Sequence, residues 1–115
     1  MAYMGQHDGA PLVDEYFEAW DYGPVLPKVY RKAKAFGSGP VGNVFHGVSD
    51  ISDPDIAEFI DSAVRQLAKF TPSRLVSITH WEKGAWASNY VKGALFNRIP
   101  NEDIIQEYKA RMDGK

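Results

Sequence analysis

His80 is the residue of this sequence best suited to acid–base or ligand chemistry, because imidazole titrates near neutrality. It stands in the run THWEKGAW, beside Thr79, Trp81 and Glu82. A metal site would need further histidines or carboxylates at short helical spacing, as in H-E-x-x-H. The other histidines, His7 and His46, lie in glycine-rich stretches without ligand spacing. His80 therefore reads as a structural or hydrogen-bonding histidine in a packed corner with Trp81 and Trp86. The carboxylate pairs Asp14-Glu15 and Glu102-Asp103 sit among residues that suit solvated turns or helix starts, where nothing would raise a carboxyl pKa. No G-x-S-x-G elbow and no phosphate-binding glycine loop is present; GSGPVG, from Gly37 to Gly42, lacks the lysine and the preceding strand. We expect no catalytic residue, no metal and no cofactor.

Two other groups could recognise a partner instead. Lys28, Arg31, Lys32 and Lys34 crowd one short segment and could meet an acidic protein surface or phosphate; the plainer reading is a solvated helix face. Tyr16, Phe17, Trp20 and Tyr22 crowd the segment before it. Alternate side chains of an extended segment point to opposite faces, so these aromatics cannot all be core. Glu18, Trp20 and Tyr22 are therefore candidates for an exposed contact surface, Trp and Tyr being frequent interface anchors.

The elements that would position these groups are mostly helices. Residues 12–20 could be extended. Gly23-Pro24 opens a helix carrying Leu26, Val29, Tyr30, Ala33 and Phe36, with Gly37 as its stop. Residues 37–52 read as loop, anchored by Val44 and Phe45. Ser52 or Asp53 caps a helix over 54–70 whose Ile56, Phe59, Ile60, Ala63, Val64, Leu67 and Phe70 form one apolar stripe. Thr71 and Pro72 begin the next helix after a sharp corner. A helical turn falls near Trp86–Val91, Leu95-Phe96 could be extended, and Asn101 caps a last helix lined by Ile104, Ile105, Tyr108 and Met112. The expected fold is mainly α, a compact single domain of four to five helices with at most a small two-stranded β element, and with residues 1–11 loosely ordered.

Composition agrees with a small folded protein. The chain has 115 residues, 44% hydrophobic and 24% charged, with 13% aromatic residues for specific packing. That length fits one domain. A net charge of −2 gives no sign of a nucleic-acid or membrane partner. The absence of cysteine excludes disulfides, thiolate metal sites and cysteine nucleophiles. The N-terminal run has neither the basic nor the apolar region of a signal peptide, so a cytoplasmic location is expected.

FEAWDYGPVLPKVY, from Phe17 to Tyr30, followed further along by LVSITHWEKGAW, from Leu75 to Trp86, resembles the Panacea domain of SocA-like antitoxins and phage-associated GepA proteins. The resemblance extends over roughly residues 9–112, ending in an isoleucine-led turn and terminal helix, Ile99 to Met112. One departure is that the family's usual apolar helix is missing ahead of Gly9-Ala10-Pro11-Leu12, which would leave apolar surface for a partner or for a homodimer. The resemblance implies a non-enzymatic inhibitory binder that neutralises a cognate toxin by direct contact. The alternative it leaves open is an anti-CRISPR protein that binds a CRISPR–Cas effector. It implies that Phe17, Gly23, Pro24, Tyr30, Thr79, His80 and Trp86, with Ala19, Val25 and Pro27, mainly define the fold. Partner contacts then fall to Glu18, Trp20, Tyr22 and the basic helix.

Overall fold

The computed structural model describes residues 1–34, 50–94 and 97–113. In chain order the elements are α1 (Ala2–Gln6), β1 (Phe17–Trp20), β2 (Gly23–Val25), α2 (Pro27–Ala33), α3 (Pro54–Leu67), α4 (Pro72–Thr79), α5 (Ala85–Asn89), β3 (Arg98–Ile99) and α6 (Asn101–Asp113). The fold is mainly α. Among the described residues there are six helices rather than four or five, and the sheet has three strands rather than two.

The sheet is antiparallel in the order β2-β1-β3, with β1 in the middle. Trp20 lies opposite Gly23, so only Asp21 and Tyr22 remain to make the hairpin loop. This corrects the helix expected from Gly23-Pro24. Those residues form β2, and the helix waits for the second proline, Pro27, with Leu26 at its N-cap. Either proline could open a helix, but Gly23 and Pro24 are held in the ladder opposite Trp20 and Ala19. Phe17 and Glu18 pair with Ile99 and Arg98 on the other side, an element with too few residues to show as a pattern.

The core is small. Ala19, Ala85 and Ile99 are buried together, and Phe17, Trp86, Tyr90 and Ile104 pack on them. A cavity of about 160 Å³ remains beside them, lined in part by Phe17, Pro24, Thr79 and Trp86. Residues 1–11, expected to be loosely ordered, hold α1, whose Met4 is buried and whose Gly5 meets the Tyr108 ring of α6. A Cβ on Gly5 would fall 2.2 Å from that ring, so only glycine lets the two helices come this close.

The capping signals act as their chemistry dictates. Asp53 accepts hydrogen bonds from the amides of Asp55 (2.9 Å) and Ile56 (3.4 Å), and Thr71 from that of Arg74 (3.1 Å). At α6 the cap lies one residue earlier than expected, since Asn101 is already helical and the Pro100 carbonyl accepts from Asp103 and Ile104. The α3 helix forms, but its apolar stripe is only half covered by the described residues. None of its side chains is fully buried, and Val64 and Leu67 are exposed. Its contacts include the Tyr3 ring, edge-on to Phe59 at 5.5 Å.

Arg111 and Glu107 of α6 clamp the corner between α4 and α5. The Arg111 guanidinium donates to the Ile78 carbonyl and lies over the Trp81 ring, while Glu107 accepts from the Ala85 amide. The two side chains also pair with each other at 2.7 Å. They thereby satisfy a free carbonyl at one helix end and a free amide at the next helix start. Among the described residues, no helix is long and apolar enough to cross a membrane. The expected Gly37 stop, the Val44 and Phe45 anchors, His46 and Leu95-Phe96 lie outside the described residues.

Candidate functional site

The two sequence blocks meet at one joint. Gly23 has φ +131°, which side chains rarely tolerate, and a Cβ there would stand 2.9 Å from the Thr79 hydroxyl. Thr79 itself donates to the Val76 carbonyl inside α4. His80 follows at the end of α4 and stacks on Trp86, with ring centroids 3.7 Å apart and planes 5° from parallel. Tyr90 stacks on Trp86 at a centroid distance of 4.5 Å, and the Trp86 indole N–H donates to the Trp20 carbonyl at 2.6 Å. The Tyr90 hydroxyl donates to Asp21 in the hairpin loop. The β1–β2 hairpin is thus tied to α4 and α5 through its backbone and its loop.

His80 contributes a ring to this joint. Its Nε2 is buried and has no hydrogen-bond partner among the described residues. No three of the His, Asp and Glu among those residues gather closely enough to hold a metal ion.

The hairpin's other face is the candidate contact surface. Strand alternation sends Phe17 and Ala19 to the core and leaves Glu18 and Trp20 on the outer side. The Trp20 indole donates to Glu18 at 2.9 Å, which fixes both side chains against the strand. Tyr30 of α2 meets Trp20 edge-on at 4.8 Å. Tyr22, at the hairpin tip, is 82% exposed. Glu18, Trp20, Asp21, Tyr22 and Tyr30 line one open cleft of about 430 Å³. The sequence resemblance assigns Tyr30 to the fold, and the sequence carries no signal for Asp21. Their convergence depends on the hairpin and the turn into α2, which the segment's residue types do not reveal.

The four cations of α2 and its C-cap lie in different surroundings. Lys28 and Arg31 border an adjoining hollow with Glu15, Tyr16 and Arg98, and the Lys28 ammonium pairs with Glu15 at 2.6 Å. Both partners are largely solvated, so this pair contributes at most about 1 kcal/mol. Lys32 and Lys34 are exposed, outside that hollow. Arg98, opposite Glu18 in the sheet, lies over the Tyr16 ring at 5.1 Å.

Apart from Tyr90, the joint just described is built from residues of the two resemblance blocks, and comparison with known proteins gives the same family assignment. Residues 2–87 match the family described as Antitoxin SocA-like, Panacea domain. The chain belongs to this family. Antitoxin SocA of Caulobacter vibrioides (strain NA1000 / CB15N) is 36% identical over 88 residues, covering 68% of this chain and 47% of that protein. The chain therefore spans about half the length of that Panacea-domain relative. No solved structure matches. The family match takes in α1 and stops after Trp86 in α5, so β3 and α6, which the sequence resemblance also included, lie beyond it.

Proposed function

We propose that this chain is a non-enzymatic binding protein of the cytoplasm that neutralises a cognate protein toxin by direct contact. The observation that carries this reading is the match to SocA-like antitoxins, supported by the 36% identity to Antitoxin SocA. The exposed, aromatic outer face of the hairpin supports a role in contact, because motif residues on the inner face already account for the fold. Glu18, Trp20 and Tyr22 form the centre of the proposed surface. Arg31, Lys32 and Lys34 flank it as a steering face for an acidic patch on the toxin, with Lys28 shared with Glu15.

Neither match names a CRISPR effector or a phage, and no observation of this structure favours the anti-CRISPR alternative. Self-association is not part of the proposal. The test is co-expression with the product of an adjacent toxin gene. Growth should be restored by this chain, and the two proteins should elute together at fixed stoichiometry. Toxicity unchanged in the presence of folded protein would refute the antitoxin reading.

A further inference from the structure

The outer cleft has a composition that selects its occupant. Its walls are the rings of Trp20, Tyr22 and Tyr30, and its rim carries the carboxylates of Glu18 and Asp21. Glu18 spends one oxygen on the Trp20 indole, and Asp21 one on the Tyr90 hydroxyl. Among the described residues neither carboxylate has an ion-pair partner. Lys28 is on Glu15 and Arg98 is over Tyr16, while Arg31 lines the adjoining hollow that Glu18 also borders.

We propose that this cleft receives an arginine side chain of the partner protein. An acidic side chain would meet two like charges, and an aliphatic one would desolvate both carboxylates without giving them a partner. A guanidinium suits both features at once. Its plane stacks on Trp or Tyr faces, and its forked N–H groups satisfy carboxylate oxygens. The cleft thus places a cation-accepting site beside the positive α2 surface, and the partner it fits has an arginine next to an acidic patch. This inference rests on the toxin-binding reading above.

The test uses the full chain, labelled with ¹⁵N, and an acetylated, amidated Gly-Arg-Gly peptide as probe. The Trp20 indole N–H should shift saturably with this peptide. The citrulline peptide, which has the same shape without the charge, should bind at least several-fold more weakly. The double variant Glu18→Gln with Asp21→Asn keeps the oxygen acceptors for Trp20 and Tyr90 and should weaken the arginine peptide to the same degree. The Trp86 indole, on the inner face, reports whether that variant remains folded, and the citrulline comparison decides the matter if it does not. No shift at Trp20, or equal affinity for the two peptides, overturns the proposal. The titration contains no toxin, so a failed toxin complex with a successful titration would overturn only the antitoxin reading. A toxin complex with a failed titration would overturn only the arginine site.

Discussion

The two faces of the β1–β2 hairpin use similar residues for different ends. On the inner face Ala19 is 2% exposed, with Phe17 beside it, and Gly23 sits against Thr79 in the joint closed by His80 and Trp86. On the outer face Glu18 and Trp20 line an open cleft beneath Tyr22. Both faces carry tryptophan, and composition alone does not separate them. The difference comes from strand alternation and a two-residue loop, which give one compact segment a scaffold side and a surface side.

Truncating one tryptophan on each side is the strongest way to break this comparison. Trp86→Ala removes the ring between His80 and Tyr90 and the hydrogen bond to the Trp20 carbonyl. Large-to-small substitutions of this kind cost about 3–5 kcal/mol, a large share of the roughly 5–15 kcal/mol that holds an ordinary domain folded. Trp20→Ala loses the edge contact with Tyr30 and the bond to Glu18 on a solvated surface, and should cost about 1–2 kcal/mol. Denaturant unfolding of the two variants measures the gap. Equal losses would mean that the outer face is as structural as the inner.

His80 sharpens the inner side further. If its role is the stack on Trp86, His80→Phe should retain stability to within about 1 kcal/mol, because it keeps an aromatic ring and removes a buried nitrogen without a partner. His80→Ala should lose about 2–3 kcal/mol by leaving a gap beside Trp86. Thermal or denaturant melts of both variants decide it. A phenylalanine variant as unstable as the alanine one would show that an imidazole nitrogen, rather than the ring, is what the joint needs.

Much of the helical frame was legible because its signals are local. Asp53-Pro54 and Thr71-Pro72 mark helix starts through side-chain oxygens and a proline that needs no amide partner, and both hold. The hairpin was legible only in part. Gly23-Pro24 carries the same proline signal as a helix start, and only pairing with Trp20 and Ala19 assigns it to a strand. Arg98–Ile99 is too short to show an alternation at all. The pairing of Thr79 with Gly23, and the stack that runs from His80 to Tyr90, join residues far apart in sequence. Their residue types pointed to a packed corner of His80, Trp81 and Trp86 without showing that Gly23 and Tyr90 belong to it. The cleft needed the most geometry, since Tyr30 reaches Trp20 only after the chain has turned twice.

Tyr90 gives the smallest and most specific effect, because it belongs to both faces. Its ring stacks on Trp86 and its hydroxyl holds Asp21 at the rim of the outer cleft. The hydrogen bond to Asp21 is the main cause that pushes the Tyr90 phenol above its ordinary value, with partial desolvation and the Asp21 charge adding to it. A raised value means that the folded state favours the neutral phenol. The resulting stabilisation is fully present below the unfolded value of about 10 and is lost as pH rises through the higher folded value. Residue-resolved NMR titration should therefore show Tyr90 ionising above the ordinary tyrosine value of about 10. Asp21→Ala removes both the acceptor and the charge, so the Tyr90 midpoint should move back toward that ordinary value. A Tyr90 midpoint unmoved by Asp21→Ala would mean that the hairpin loop and α5 are not coupled through this bond. The inner joint would then no longer fix the position of the outer rim.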